Sequence, residues 1–177
     1  MAGPVFLDGD TVELRTIEHE DVEFMQQLVN DPAVRHSLQS VDPISEQQET
    51  EWVESLSDTD GWHFLVCDGE TRVGIIGLNE YDDIWGVAEA GYMIAPEHWD
   101  NGYATDALTE LCEYGFAERR LNKVVAKAYE TNKASQRVLE KVGFVEEGQL
   151  RNEAFVKGEY LDIHRYGLLA SEWLDAH

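Results

Sequence analysis

The segment from Trp99 to Thr105 combines a glycine, small and polar residues and the start of a predicted helix. Glycine has no Cβ, so the backbone at Gly102 can approach a ligand closely. The first turn of a helix leaves N–H groups without partners, and these groups and the helix dipole favour a phosphate. The segment therefore predicts either a pyrophosphate-binding loop or an ordinary turn before a helix. The candidate binding residues are Trp99, Asn101, Gly102, Tyr103, Ala104 and Thr105.

This loop differs from a P-loop, because no Gly-Lys-Ser or Gly-Lys-Thr follows it. Any phosphate it binds must therefore be held mainly by main-chain N–H groups. Ala104 is small enough to keep the approach to these groups open.

Positive charge for an anion must come from the second half of the chain. Residues 1 to 118 contain 27 acidic and 3 basic residues, whereas residues 119 to 177 contain 9 acidic and 10 basic residues. We therefore expect a bound anion to be held mostly by the second half and a bound cation to be attracted by the acidic first half. Lys133 and Arg137 are candidate partners for phosphate groups, although each could equally be solvated surface.

The net charge of −23 comes from 36 acidic and 13 basic residues. Such a charge disfavours binding to nucleic acid or to an anionic membrane. The acidic residues are dispersed, as in proteins of salt-loving organisms, whose acidic surfaces remain soluble in concentrated salt. We favour that interpretation over an acidic surface evolved for one basic substrate.

Length and composition indicate one α+β domain spanning residues 1–177. The start lacks the pattern of a signal peptide, and no apolar run reaches the roughly 20 residues of a membrane span. Cys67 and Cys112 lie in apolar contexts, which favours buried free thiols in a reducing compartment, the cytoplasm. The scattered histidines show no metal-binding spacing, so we expect no metal site.

Periodicity in the first half predicts a strand over residues 12–15, followed by a helix capped by Thr16 that ends at Asn30. Ser45 and Gln48 fit a capping box at the start of a second helix. Two strands, WHFLVC and RVGIIGL, follow as a hairpin that turns at Asp68-Gly69.

The second half predicts a strand–helix–strand–helix–strand unit. The strand VAEAGYMIA leads through the 99–105 loop into a helix from about Ala104 to Arg119. The strand LNKVVAKAYE and a short helix from Ala134 to Lys141 come next. FVEEGQLR and YLDIHRYGLLA are predicted as the last strands.

GYMIAPEHWDNGYATDAL, followed by ETNKASQRVLEKVGF, resembles the GNAT acyl-CoA N-acyltransferases. Within them the chain is most similar to the RimJ/RimL branch, which acetylates protein N-termini. The likeness covers nearly the whole chain, including VELRTIEHEDVEFMQQLVNDPAV and KGEYLDIHRYGLL. The family's loop is Gln/Arg-x-x-Gly-x-Gly/Ala, and here Trp99 replaces its polar first residue.

The resemblance implies the GNAT fold, a mixed central sheet with splayed strands flanked by helices. Acetyl-CoA would lie between the strand that ends at Met93-Ile94 and the strand of VVAKAYE. Main-chain groups of Met93 and Ile94 would hold the pantetheine. Asn132 matches an asparagine that also contacts it, and this residue could cap the short helix as well.

For the leaving thiolate, many family members use a tyrosine at the position of Leu139, which cannot donate a proton. Ser135 occupies the position of a serine proposed as the acid in the RimL branch, although it could have only a structural role. The RimL-type glutamate aligns with Ala154, and Glu153 is its neighbour. Glu89 is our candidate for the group that accepts the amine proton, through water, or binds the ammonium; it could also be one more surface acid.

The expected reaction is acetyl transfer from acetyl-CoA to a primary amine, with the N-terminus of a ribosomal or other protein as the leading acceptor. A small polyamine or an antibiotic amine is the alternative acceptor. A non-catalytic acyl-CoA-binding module is the alternative of a different class.

Overall fold

The structure is a computed structural model that describes residues 1–39 and 41–176, and these ranges form eight strands and five α-helices. The strands are β1 (Val5–Asp8), β2 (Glu13–Arg15), β3 (Trp62–Asp68), β4 (Thr71–Asp82), β5 (Val87–Ile94), β6 (Lys123–Tyr129), β7 (Val145–Val156) and β8 (Glu159–Leu169). The helices are α1 (Val22–Asn30), α2 (Glu46–Ser55), α3 (Tyr103–Ala117), α4 (Lys133–Val142) and α5 (Ala170–Ala176).

All eight strands join one mixed sheet in the order β1-β2-β3-β4-β5-β6-β8-β7. β5 and β6 are parallel neighbours, whereas the other neighbouring pairs are antiparallel. The β5–β6 ladder runs only from Val87–Lys123 to Glu89–Val125. Beyond Glu89 the two strands are no longer paired, which confirms the predicted splayed strands and the GNAT fold.

The larger core lies on the face of the sheet that α3 and α4 cover. Leu108 and Leu111 of α3, Leu139 of α4 and Tyr166 of β8 are almost fully buried there. A smaller core around Leu28 and Val34 lies beneath α1 on the other face. Burial on both faces therefore makes the middle strands a rigid support for the gap between β5 and β6.

The helix predicted after β2 starts later than its sequence suggested, and Thr16 is not its cap. Thr16 instead donates a hydrogen bond of 2.6 Å to the Glu18 carboxylate. Glu18 and Asp21 form a reciprocal capping box on a short 3₁₀ turn, His19–Asp21, and α1 begins at Val22. Arg72 of β4 also bonds the buried Asp21 carboxylate at 2.7 Å, so a long-range ion pair helps to set this start.

The other predicted segments have the predicted secondary structure, helix, strand or turn. Ser45 and Gln48 form the predicted capping box of α2. The β3–β4 hairpin turns at Asp68-Gly69, and Gly69 has a φ of +55°.

Several boundaries differ. α3 starts one residue early and ends at Ala117, because the chain turns back after it and the N–H of Leu121 bonds the carbonyl of Gly115. The sequence interpretation missed β1 and α5. It placed the residues up to Ala170 in the last strand, but that strand ends at Leu169 and Ala170 opens α5.

Both cysteines are buried free thiols. Burial raises the pKa of the Cys67 thiol to about 11. No helix in the described part of the chain has the length and apolar character needed to cross a bilayer.

Candidate active site

The loop before α3 forms one wall of the gap between β5 and β6. Gly102 is the N-cap residue of α3, with a φ of +80°, and no side chain caps this helix end. A Cβ built on Gly102 would meet no atom within 4 Å. The first N–H groups of α3 therefore have no side-chain cap and lie beside an open space at Gly102, which fits a pyrophosphate group bound by main chain.

Side chains of the 99–105 loop hold the loop itself. The Trp99 indole N–H donates to the Ile94 carbonyl at 2.8 Å. The Asn101 amide donates to the carbonyls of His98 and Trp99, and the Tyr103 hydroxyl donates to the Asp68 carboxylate. The replacement of the family's polar first residue by Trp99 thus supplies a clamp between the loop and the end of β5.

At the end of β5, the main-chain N–H and C=O groups of successive residues point alternately towards β4 and towards the gap. Met93 lies opposite Ile75, and the N–H of Ala95 bonds the carbonyl of Val73. Alternation along an antiparallel ladder therefore directs the main-chain groups of Met93 to β4 and those of Ile94 to the gap. Of the two residues expected to hold the pantetheine by main-chain groups, Ile94 is the one placed for it.

The N-terminus of α4 lies at the other wall of the gap. The Asn132 side-chain oxygen accepts a hydrogen bond of 3.1 Å from the N–H of Ser135, so Asn132 caps α4. Its amide nitrogen makes no hydrogen bond to the described residues. Lys133 reaches the Gln136 side chain at 3.2 Å, whereas Arg137 is exposed. Asn132, Lys133 and Arg137 are thus clustered at the start of one helix.

Ser135 is in contact with a residue that the sequence interpretation had not assigned to the site. The Tyr92 hydroxyl of β5 lies 2.8 Å from the Ser135 hydroxyl and 3.4 Å from the Ser135 carbonyl. Burial raises the pKa of Tyr92 to about 12, although the Ser135 hydrogen bond opposes this shift. Tyr92 therefore stays protonated at physiological pH. Leu139, at the family's tyrosine position, is completely buried.

A cavity of about 220 Å³ opens on one face of β4 and β5. This face is opposite the one that α3 and α4 cover. Its walls are mainly apolar, and its polar side chains include His63 and Asn79, whereas the Tyr92 hydroxyl points to Ser135 on the other face. The lining residues are Ile17, Leu38, Trp52, His63, Ile75, Ile76, Gly77, Asn79, Gly91, Tyr92 and Met93. Because Tyr92 and Met93 also belong to the strand that borders the gap, this cavity is suited to the acceptor.

Glu89 lies next to this region but is engaged in an ion pair. Its Oε2 atom is 3.0 Å from Nζ of Lys127, which lies on β6 beyond the paired part of the two strands. Glu89 does not line the cavity. Ala154 is buried and Glu153 is exposed on β7. The structure thus leaves Glu89 with one oxygen, Oε1, free of Lys127.

The residues missed from the sequence are Trp52, His63, Asn79 and Tyr92. Tyr92 meets Ser135 only through the tertiary fold, and His63 and Asn79 lie on two strands whose pairing a local sequence pattern does not reveal. His63 is an isolated polar residue in the mainly apolar β3, Asn79 directly follows the mainly apolar stretch of β4, and that was the only local signal.

Comparison with known proteins gives one family. A family model described as an acetyltransferase (GNAT) domain matches residues 11–145. The putative ribosomal N-acetyltransferase YdaF of Bacillus subtilis is 32% identical over 174 residues, covering 93% of this chain and 94% of that protein. The spermidine N(1)-acetyltransferase of Vibrio cholerae is 30% identical over 165 residues, covering 92% of this chain and 95% of that protein.

The fold comparison agrees. A crystal structure of the spermidine N-acetyltransferase from Vibrio cholerae in complex with CoA and spermine has a TM-score of 0.86 and 29% identity, covering 93% of this chain and 98% of that one. The uncapped end of α3, the open space at Gly102 and the splayed strands are the features that a bound CoA requires. This chain belongs to the GNAT acetyltransferase family and is an acetyl-CoA-dependent N-acetyltransferase.

Proposed function

We propose that this enzyme acetylates the α-amine of a peptide or protein, in the manner of the RimJ/RimL branch. The observation that carries the proposal is the acceptor cavity, whose lining, among the described residues, has no carboxylate and includes six apolar residues: Ile17, Leu38, Trp52, Ile75, Ile76 and Met93. A polyamine brings further positive charges into the site, and buried cations require paired acids. An N-terminal residue brings one amine and an apolar or small side chain, which suits these walls.

A polyamine is the second candidate acceptor, and two observations favour it. The spermidine acetyltransferase of Vibrio cholerae named above is similar to this chain in sequence and in fold, and its crystal structure contains CoA and spermine. The net charge of −23 also attracts cations. The acids are dispersed along the chain, however, so this attraction acts at long range and provides no pocket for a second amine.

In the proposed mechanism, acetyl-CoA supplies a thioester carbonyl between β5 and β6. The main-chain N–H groups at the start of α3 bind its pyrophosphate, and the N–H of Ile94 and the amide of Asn132 contact its pantetheine. Lys133 and Arg137 offer positive charge to its phosphates. Ser135 donates a proton to the departing sulfur, and Tyr92 orients the Ser135 hydroxyl.

The acidic surface and the buried thiols support two wider proposals. We infer a protein adapted to concentrated salt, because the acids are spread over the whole front half rather than gathered at the cavity. We also infer a single acetyltransferase domain over residues 1–177 that works in the reducing cytoplasm, since Cys67 and Cys112 are unpaired.

Thiol release from acetyl-CoA tests the acceptor class. The panel contains peptides with Ala, Ser or Met at the N-terminus, the same peptides with a blocked N-terminus and one internal lysine, and spermidine. We expect turnover with the free N-termini and none with the blocked peptides. A higher kcat/KM for spermidine than for every peptide would refute the proposed acceptor and support the polyamine.

A further inference from the structure

His63 lies on β3 at the floor of the acceptor cavity. Its ring makes an edge-to-face contact with Trp52 of α2, with centroids 5.5 Å apart. The same ring borders a second cavity of about 340 Å³, on the side of Gly61 and Leu56. His63 therefore separates the acceptor cavity from a second opening.

A chain of hydrogen bonds sets the tautomer of this ring. The Asn79 amide nitrogen donates to the Glu89 carbonyl at 3.3 Å, and a carbonyl can only accept. The side-chain oxygen of Asn79 must therefore face His63, and it lies 2.7 Å from Nε2. An amide oxygen also only accepts, so Nε2 carries the hydrogen and Nδ1 of a neutral ring holds the free electron pair.

The free nitrogen is not used elsewhere. Nδ1 of His63 has no hydrogen-bond partner in the described ranges, and it is not a sealed buried atom, unlike Nδ1 of His164. A base in this position can receive a proton from a group in the cavity.

Two glycines make room for the ring and for an acceptor. Gly77 lies directly opposite His63 on one side and opposite Gly91 on the other. A Cβ on Gly77 would lie 2.5 Å from Cδ2 of His63 and 2.9 Å from the carbonyl of Trp62. Gly77 and Gly91 therefore leave space without side chains beside the imidazole, close to the point where β5 separates from β6.

We propose that His63 is the general base of the reaction, a role that rests on the proposed transfer to an amine. The acceptor ammonium first gives one proton to Nδ1 of His63, and the neutral amine then bonds the acetyl carbon and releases a second proton to solvent. The carbon–sulfur bond breaks, its electron pair leaves with the sulfur, and the sulfur takes a proton from Ser135. His63 returns its proton to solvent through the second cavity, and Ser135 regains one from solvent after product release.

The surroundings of His63 favour it as the general base over the carboxylates nearby. Tyr92 lines the same cavity, and Glu89 is the cross-strand neighbour of Asn79. Glu49 is buried on α2 one turn before Trp52, and burial raises the pKa of its carboxyl. Glu89 is held by Lys127 and lies outside the cavity lining, so His63 is the better-placed base.

The kinetic test compares His63→Ala, His63→Gln and the exposed control His19→Gln with both a peptide and spermidine. We expect both His63 variants to lose about 100-fold in kcat near neutral pH, the low end for a general base. The deficit should shrink as the pH rises above the α-amine pKa of about 7.7–8.0, where solvent already supplies the neutral amine. Added imidazole should partly restore His63→Ala. A deficit that is constant with pH and insensitive to imidazole would overturn the proposal and assign His63 a packing role.

Two measurements separate this inference from the acceptor assignment. ¹⁵N-edited NMR of the imidazole needs no acceptor, and we expect the tautomer with hydrogen on Nε2; hydrogen on Nδ1 would overturn the proposal. Calorimetry should give the same CoA affinity for His63→Ala as for the parent protein. If spermidine alone is acetylated and the His63 effects persist with it, the peptide acceptor is wrong and the base assignment stands.

Discussion

The hydroxyl groups of Tyr92 and Ser135 lie 2.8 Å apart and join β5 to the first turn of α4 across the gap. A phenol that donates to the serine oxygen leaves the serine hydrogen free for another acceptor. Because the pKa of Tyr92 is raised to about 12 by burial, this donor persists throughout the working pH range. In the mechanism proposed above, this pair presents an oriented hydroxyl to the leaving sulfur, a role for which Leu139 has no proton to donate.

Ser135→Ala should lower kcat by about 100-fold, because a leaving-group acid acts in the transition state. Tyr92→Phe should lower it by about threefold to tenfold, the value of one orienting hydrogen bond of roughly 0.5–1.5 kcal/mol. CoA affinity should be nearly unchanged in both. Steady-state kinetics and calorimetry check this, and an unaltered kcat for Ser135→Ala across pH would assign the proton to water instead.

Gly102→Val should weaken CoA binding by roughly 10- to 100-fold, since hydrogen bonds to a charged group contribute about 1.5–3 kcal/mol. Gly158→Val is the matched control: Gly158 also has a positive φ, +87°, and open space around its Cβ, but it lies in the β7–β8 turn. Both variants carry similar backbone strain. Equal CoA affinities for the two folded variants, measured by calorimetry, would show that the loop before α3 does not bind the pyrophosphate.

Glu89→Gln should raise the KM for the amine acceptor or lower kcat, while CoA affinity changes little. Glu89 is the last residue of β5 that pairs with β6, and its charge is shared with Lys127. The exposed acid Glu97 supplies the control Glu97→Gln, for which we expect no effect. These assays belong in concentrated salt, where the Debye length is only about 3 Å at 1 M and long-range steering is screened. If Glu89→Gln and Glu97→Gln have indistinguishable kinetics, Glu89 has no specific role in acceptor binding or catalysis.

Asp106→Asn should destabilise the fold by about 1–2 kcal/mol, because three N–H groups and one hydroxyl lose a charged acceptor. The Asp106 carboxylate accepts hydrogen bonds from the N–H groups of Asp10, Thr11 and Val12 and from the Thr11 hydroxyl, and so holds the β1–β2 turn on α3. Partial burial raises the pKa of Asp106, but these hydrogen bonds outweigh burial and lower that pKa below the ordinary value of an aspartate.

A lowered pKa means that the unfolded state binds the proton more readily, so this stabilisation is present above about pH 4 and is lost as the pH falls through the folded pKa. Urea unfolding of the parent protein and of Asp106→Asn between pH 7 and pH 3 checks the direction of this pH dependence. The difference in the free energy of unfolding should narrow at the acidic end. A difference that stays constant or widens there would contradict the assigned role.

The melting temperature should rise by at least about 5 °C between 0.1 M and 2 M KCl, because screening reduces self-repulsion among 36 acidic residues. For a chain of this size that shift corresponds to roughly 1–2 kcal/mol. Sucrose at matched osmolality separates charge screening from solvent exclusion. A rise that sucrose reproduces fully would mean that the acidic surface has no electrostatic adaptation to salt.

Local sequence determined the elements that support the cofactor side. Glycine at position 102 before an apolar stripe predicted the loop and α3, and Asn132 before α4 predicted its cap. These features depend on residues within one or two turns of each other, so periodicity and capping chemistry suffice to find them. The same locality explains why Ser45 was recognised as a cap of α2.

Tertiary structure decided the acceptor side and the chemistry. Tyr92 meets Ser135 across 43 positions of sequence, and His63 meets Asn79 through a strand pairing that no local signal records. Glu18 and Asp21 form the cap that was predicted for Thr16, and the long-range ion pair between Arg72 and Asp21 helps to hold it. Direction of the Met93 and Ile94 main chain likewise followed from sheet register. Such contacts depend on which strands become neighbours, and a single sequence constrains that choice only through the packing of the whole core.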